Sequence, residues 1–342
     1  MTPPSKTARY RIGITLGDIN GIGPEVVIKA LHDSRMLNLF TPVVYGSTRV
    51  LSFYKKLMNL DDFTYAHVKT PGQFAPKSVN VVNCWDEVIE INPGKPDAQA
   101  GKAAWLSLKQ AVADLKNGLI DALVTAPINK QVIHGNDFPF RGHTEFLASY
   151  FSISEYLMMM VSEQLRIGLV TEHIPLKEVP LLLSRDRIHT RLLIMEQTLR
   201  REFGINKPRI AVLGLNPHAG DGGLLGTEDD QLIKPALDDL KNKGKLVFGP
   251  FAADGFFASG QYKRYDGILA MYHDQGLIPF KLLAFESGVN FTAGLPVVRT
   301  SPDHGTAYAL AGKNAASESS MRQAIFTALD ILQTRNENQS HR

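Results

Sequence analysis

The chain is 342 residues long, 44% hydrophobic and 21% charged, with a net charge of +3. That length supports a large core organised as two lobes, and so even a charge balance gives no argument for a nucleic-acid partner; "RREFGINKPR" is a local basic stretch at a solvated helix end. A single cysteine, Cys84, excludes a disulfide framework, an iron–sulfur cluster and a Cys-rich zinc site within one chain, and fits a reducing compartment.

The first segment, "MTPPSKTARYR", is polar and carries two prolines. It lacks the apolar core of a signal peptide and reads as a short loose tail. "RIGIT" is a strand, "GDINGIG" a turn, and "PEVVIKALHD" a helix with Pro24 in its first turn. "TPVVYG" and "VNVVNCW" are strands. "DAQAGKAAWLSLKQAVADLKNG" is a long helix with Asp97 as N-cap and Gly118 as its stop, followed by the strand "DALVTAP". Three further strands, "LRIGLVTEHIP", "RIAVLGLNPH" and "GILAMYHD", are separated by the helices "DRIHTRLLIMEQTLRREFG" and "EDDQLIKPALDDLKNKG". "VNFTAGLPVVRTSPDHGTAYALAG" supplies extended segments, a glycine turn, and small residues that open a helix; "QTRNENQSHR" reads as a frayed end. No run of about 18 apolar residues exists, so no membrane span is expected and a cytoplasmic location is. The alternation predicts an α/β protein with a mainly parallel or mixed sheet covered on both faces.

In open α/β sheets, ligands bind beyond the carboxyl ends of the strands. "IGLVTEH" ends at His173, "IAVLGLNPH" at His218 and "GILAMYH" at His273. Any one of these is equally a polar strand end or a histidine bonded to backbone. Three in the same kind of position suggest a metal, because neutral imidazole is the commonest ligand and three of them leave coordination positions open. Glu172, Asp221 and Asp274 are candidate acceptors that would fix the imidazole tautomers. No HExxH motif is present.

A second set suits an anion. In "RGHTEF", Thr144 is positioned to cap a helix, with His143 beside it. Lys281, Asn290 and Arg299 fall at the ends of apolar runs, where a guanidinium can fork a phosphate or carboxylate. Each of these is, singly, more often a surface or capping residue. "GDINGIGPE" and "GDGGLLG" both lack the third glycine of a dinucleotide fingerprint, and neither is followed by the Lys-Ser/Thr of a phosphate loop.

Taken together, "GDINGIGPEV", "TAPINK", "GHTEFLA", "EHIPLKEV", "LNPHAGDGG", "YHDQGLIPFK" and "NFTAGLPVVRTSPDHGTA" resemble, in order and spacing, the 4-hydroxythreonine-4-phosphate dehydrogenase family of vitamin B6 biosynthesis. The resemblance runs from about Ile12 to the last helix. It implies the isocitrate/isopropylmalate dehydrogenase-like fold: two α/β/α lobes with a cleft between them. The first lobe would comprise residues 1–130 and 285–342; the second, residues 131–284, would carry the metal ligands and dimer contacts. It further implies His173, His218 and His273 as ligands of zinc, magnesium or cobalt, and substrate contacts from His143, Thr144, Lys281, Asn290 and Arg299. Asp303, His304, Gly305 and Thr306 would meet NAD or NADP, and the sites of a homodimer would be shared across its interface. One departure is visible: Ile19 and Asn20 stand where the family's first motif has Pro-Ala, which leaves substrate and cofactor preference open.

The implied activity is oxidation of 4-phosphooxy-L-threonine at C3, then decarboxylation to 3-amino-2-oxopropyl phosphate, with Asp254 and Asp274 as candidate proton acceptors. The alternative within the family is a dehydrogenase of a related four-carbon sugar acid, of phospho-threonate or phospho-erythronate type. Outside it stand a three-histidine zinc hydrolase, a non-catalytic phospholigand-binding module and a phosphate acyltransferase. Reduction of the nicotinamide discriminates all three.

Overall fold

The computed structural model describes residues 9–135 and 137–340, apart from the side chain of Gln339. Most of the segment expected as an N-terminal tail lies outside these residues, and Arg11 already opens the first strand. In chain order the strands are β1 (Arg11–Thr15), β2 (Thr41–Gly46), β3 (Tyr65–His67), β4 (Val79–Asn83), β5 (Ala122–Thr125), β6 (Leu157–Val161), β7 (Arg166–Leu169), β8 (Ile210–Leu213), β9 (Val247–Phe251), β10 (Gly267–Ala270), β11 (Val289–Ala293) and β12 (Val298–Pro302). The chain forms two compact units, one of Met1–Phe151 with Pro296–Leu332, the other of Ser152–Leu295 with Gln333–Arg342.

The first unit holds six strands in the order β3-β4-β2-β1-β5-β12, every pairing parallel. Its central strands are buried nearly throughout, as continuous apolar runs such as "IGIT" and "ALVT" require of a sheet covered on both faces. The helix Gly23–His32 starts with Pro24 in its first turn, where a missing N–H does no harm. The helix Ala98–Lys116 is capped by Asp97, whose carboxylate accepts from Ala100 N at 2.7 Å, and the chain leaves it through Gly118 at φ 70°.

The second unit holds the order β11-β6-β7-β10-β8-β9. β6 pairs antiparallel with both β11 and β7, while β7, β10, β8 and β9 run parallel. Helix His273–Ala284 buries Leu277 and Phe280 among Ile167, Leu169, Ile268 and Ala270 of β7 and β10. Each such side chain contributes roughly 1.5–3 kcal/mol.

Four expectations change. Residues 131–151 belong to the first unit, because Phe146 of helix His143–Tyr150 packs edge-on against Trp105 at 5.1 Å. Residues 285–295 belong to the second, where β11 pairs with β6 through Asn290 and Met160. Residues 333–340 of the end expected to fray are helical, within Ser319–Ser340, the last two residues lying outside the described ones, and Arg335 donates to both carboxylate oxygens of Glu202, at 2.5 and 2.8 Å. No helix opens after Gly305 either. Residues 308–314 form turns, with Ala307, Gly312 and Asn314 at positive φ, and the next helix begins at Ser319.

Candidate functional site

In the second unit the three strands that lead to His173, His218 and His273 are neighbours, with β10 in the middle. Pairing between β7 and β10 continues past their ends: Val170 N donates to Ala270 O, and both the amide and hydroxyl of Thr171 donate to Met271 O. That brings the rings of His173 and His273 to 5.6 Å between centroids. Both line a pocket of about 450 Å³, with Glu172, Tyr272 and Asp274. Asp274 lies 2.7 Å from His273 Nδ1, as expected of an acceptor that fixes the tautomer. Asp254 is exposed in helix Ala253–Ala258 and is absent from the pocket lining. On the other side, Gln275 joins β10 to β8: its Oε1 accepts from Met271 N at 2.7 Å and its Nε2 donates to Gly214 O at 2.6 Å.

His218 is presented differently. Residues 218–222 all have positive φ (54°, 52°, 83°, 45° and 65°), and Gly223 follows at 95°. His218, Ala219 and Asp221 have Cβ atoms, so each pays of order 1–3 kcal/mol for this conformation, of the kind that clusters at functional sites. His173, at φ 46°, shares it. Beneath the turn lies Asp229, with no exposed surface and in the first turn of a five-residue π-helix, Asp229–Ile233. Its carboxylate accepts from Leu215 N at 2.9 Å, Asn216 N at 3.1 Å and Asn216 Nδ2 at 3.0 Å. Among the described residues no group of three or more His, Cys, Asp or Glu side chains is gathered closely enough to hold a metal ion. The three histidines are thus not drawn together as a ligand set, only His173 and His273 being neighbours; what suits a metal is their donor chemistry at adjacent strand ends and the strained backbone that presents two of them.

In the first unit, Arg299 lies inside β12 rather than at a strand end, 3% exposed. Its Nε and Nη2 donate to Thr125 Oγ1 at 3.1 and 2.7 Å, and burial lowers its pKa to about 10. His143 opens helix His143–Tyr150, whose cap is Gly142 and not Thr144. The Nε2 atom of His143 is shut off from water and has no hydrogen-bond partner. Burial, then Arg299 and Lys130, push its pKa well below the ordinary 6.5. The result is a neutral imidazole beside two cations, with one ring nitrogen left for a ligand. Lys281 and Asn290 are half-buried in the second unit, Lys281 inside helix His273–Ala284 and Asn290 within β11.

The Ile19-Asn20 departure lies inside the fold. Both residues are fully buried. Asn20 Nδ2 donates to Asp97 Oδ2 at 2.7 Å and Lys95 O at 2.9 Å, while its Oδ1 accepts from Asn92 N at 2.8 Å. Around it, the loops that leave β1, β5 and β12 are tied together. Asp18 N donates to Pro127 O, Ile22 N to Thr306 O, Asn129 Nδ2 to Tyr308 Oη, and Tyr308 Oη to Asp18. Gly21 is required there, since a Cβ would lie 2.9 Å from Thr306 O. Thr306 is thus anchored through its carbonyl, Asp303 N donates to Ser320 Oγ, and Gly305 is exposed with open space around it. Gln275, Asp229, Lys130 and Tyr308 escaped the sequence reading; only the polar residues one turn beyond each apolar run hinted at them.

Residues 38–328 match the family model of pyridoxal phosphate biosynthetic protein PdxA. A 4-hydroxythreonine-4-phosphate dehydrogenase of Bacteroides thetaiotaomicron is 49% identical over 98% of this chain and 92% of its own. A D-threonate 4-phosphate dehydrogenase of Pectobacterium atrosepticum is 38% identical over 94% of this chain and 98% of its own. The crystal structure of the 4-hydroxythreonine-4-phosphate dehydrogenase of Klebsiella pneumoniae superposes with a TM-score of 0.81 at 37% identity, over 96% of this chain and all of that one. Isocitrate dehydrogenase of Methylococcus capsulatus shares the fold, with a TM-score of 0.50 at 14% identity over 96% of this chain and 88% of that one.

Proposed function

Since the chain belongs to the family of pyridoxal phosphate biosynthetic protein PdxA, we propose that it is a 4-hydroxythreonine-4-phosphate dehydrogenase, oxidising C3 of 4-phosphooxy-L-threonine with NAD or NADP before decarboxylation to 3-amino-2-oxopropyl phosphate. The observation that carries this reading is the His143 corner of the first unit, where an imidazole nitrogen shut off from water has no partner and feels the charges of the buried Arg299 and the exposed Lys130. An anionic, oxygen-bearing substrate suits that corner.

Arg299 forks one anionic group of the substrate, its guanidinium already oriented by Thr125. His143, held neutral, donates from Nε2 to a substrate oxygen when its proton sits there, and Thr144 beside it offers a hydroxyl. Lys281 adds a mobile point charge and Asn290 an amide. Asp303, His304, Gly305 and Thr306 form the turn that meets the nicotinamide nucleotide, fixed from below by Ile22 N. His173, His218 and His273 would hold a divalent cation (zinc, magnesium or cobalt). When bound, that cation would supply Lewis acidity toward the C3 hydroxyl, and the nicotinamide would supply a hydride acceptor. Asp274, 2.7 Å from His273 Nδ1, orients that imidazole and is the better placed of the two candidate proton acceptors, because it lines the pocket.

The acting form is a homodimer with shared sites. Helix His273–Ala284 carries Lys281 and leaves Ile278, Leu282 and, just past its end, Phe285 at 60%, 82% and 75% exposure, an apolar stripe at helical spacing that a second copy would cover. No described helix is long and apolar enough to cross a membrane. The cytoplasm is the compartment that this reading assigns to the reaction.

The test is turnover of a panel of phosphorylated four-carbon acids with NAD⁺ and NADP⁺ in the presence of divalent metal, read at the reduced-nicotinamide band. 4-Phosphooxy-L-threonine should have the highest kcat/KM. Preference for D-threonate 4-phosphate would favour the second reading, which the Pectobacterium relative motivates. No reduced nicotinamide from any member would reject both.

A further inference from the structure

We propose that Asp229 is the positioning residue for His218, through the left-handed turn that carries it. The backbone of residues 218–222 adopts conformations that Ala and Asp avoid, so something outside the turn must hold it. The Asp229 carboxylate is bonded to the backbone of the segment entering it, through both the Leu215 and the Asn216 amides. Its two oxygens accept from Leu215 N, Asn216 N and Asn216 Nδ2, which fixes the direction in which the chain enters Pro217 and His218. The approach is close enough to forbid a side chain at residue 214, where a Cβ would lie 2.7 Å from Asp229 Oδ1. Glu228 supports the same arm, its Oε2 accepting from Asn216 Nδ2 at 2.8 Å. The π-helix Asp229–Ile233 supplies the register, since a wide turn of this kind is frequent at functional sites.

Three donors converge on one buried carboxylate, so Asn is not an innocent replacement: its amide NH₂ would face donors. Asp229→Asn therefore loosens the turn while keeping the volume. The consequence rests on the reading of His218 as a metal ligand, and outer residues that orient ligands typically change metal affinity 10–100-fold.

Cobalt(II) is titrated into the wild type, Asp229→Asn, Asn216→Ala, His218→Ala and the double variant His218→Ala/Asp229→Asn, following the visible absorption band. Amide exchange is measured alongside. Asp229→Asn should weaken cobalt at least tenfold, Asn216→Ala less, and the double variant should bind no more weakly than His218→Ala. Amides of residues 215–226 should exchange at least tenfold faster in Asp229→Asn, with those of β8 unchanged. Unaltered exchange in both Asp229→Asn and Asn216→Ala overturns the proposal whatever the metal does. So does weakened cobalt binding in His218→Ala together with wild-type binding in Asp229→Asn. Wild-type cobalt affinity in His218→Ala would instead remove His218 from the metal set, leaving the exchange result to decide whether Asp229 holds the turn.

Discussion

Arg299 is a buried cation whose pKa is pulled down to about 10 by desolvation alone. A residue so placed carries a desolvation cost that a neutral side chain of similar volume would relieve, set against the loss of its hydrogen bonds to Thr125. Arg299→Met should therefore leave the melting midpoint level or raise it, while kcat/KM for the phosphorylated substrate falls ten- to a hundredfold, the loss of about 1.5–3 kcal/mol expected for a charge-assisted contact. Arg299→Lys should lose activity too, since a point charge cannot reproduce a fork that Thr125 has oriented. Kinetics beside melting curves decide it, and a collapsed Arg299→Met protein would return the residue to a structural role. His143 gives a second measurement. Its folded pKa lies well below 6.5, so as pH falls through 6.5 the unfolded chain takes up a proton that the folded one refuses. The stability this group allows is complete above 6.5 and declines as pH falls below it. Arg299, at about 10, stays charged throughout and contributes no slope there. His143→Gln should flatten the fall of the melting midpoint below pH 6.5 relative to wild type.

Helix His273–Ala284 joins chemistry to assembly: it begins at a histidine of the pocket, carries Lys281, and turns an apolar stripe to solvent. Leu282→Asp, at the most exposed point of that stripe, should convert a dimer into a monomer in light scattering and abolish turnover with far-ultraviolet dichroism unchanged. A dimeric, active Leu282→Asp protein would place the interface elsewhere. The elements that were legible in the sequence are those with internal signals. Parallel strands buried on both faces announce themselves as apolar runs, and Asp97 and Gly118 bracket the long helix as their side-chain chemistry dictates. β9 was not legible, because its Gly-Pro pair argues against a strand; it survives as the edge of its sheet. The C-terminal helix looked frayed, because its polar face is fixed by Glu202, a partner 133 residues away. Lys281 was read at the end of an apolar run because Pro279 hid the helix that absorbs it. The three histidines could be found from strand ends alone. Asp229 could not: its acceptors and donors meet only after β8 has folded beside the following helix.

For the whole molecule, shared sites make a prediction that no single chain can satisfy. His218→Ala and Lys281→Ala are each expected to be inactive. Co-refolding the two should restore activity in the isolated heterodimer, in one of its two sites, if the residues serve a common site from different subunits. An inactive heterodimer would mean that each site is built from one chain. A different consequence follows from the path of the chain, which passes from one unit to the other at 151/152, 295/296 and 332/333. β12 lies beside β5 in the sheet, yet 172 residues separate Thr125 from Val298. At about 5–20 residues per second, the ribosome delivers that neighbour roughly ten seconds or more after β5 has been made. Until then β5 exposes an unpaired edge, and Thr125 waits for the guanidinium it will orient. The second unit has all six of its strands by residue 293 and can close its sheet before the first has its last strand. During synthesis the sheet of the later-encoded unit is thus free to close first, while the nascent first unit carries an open strand edge of the kind that invites unwanted pairing.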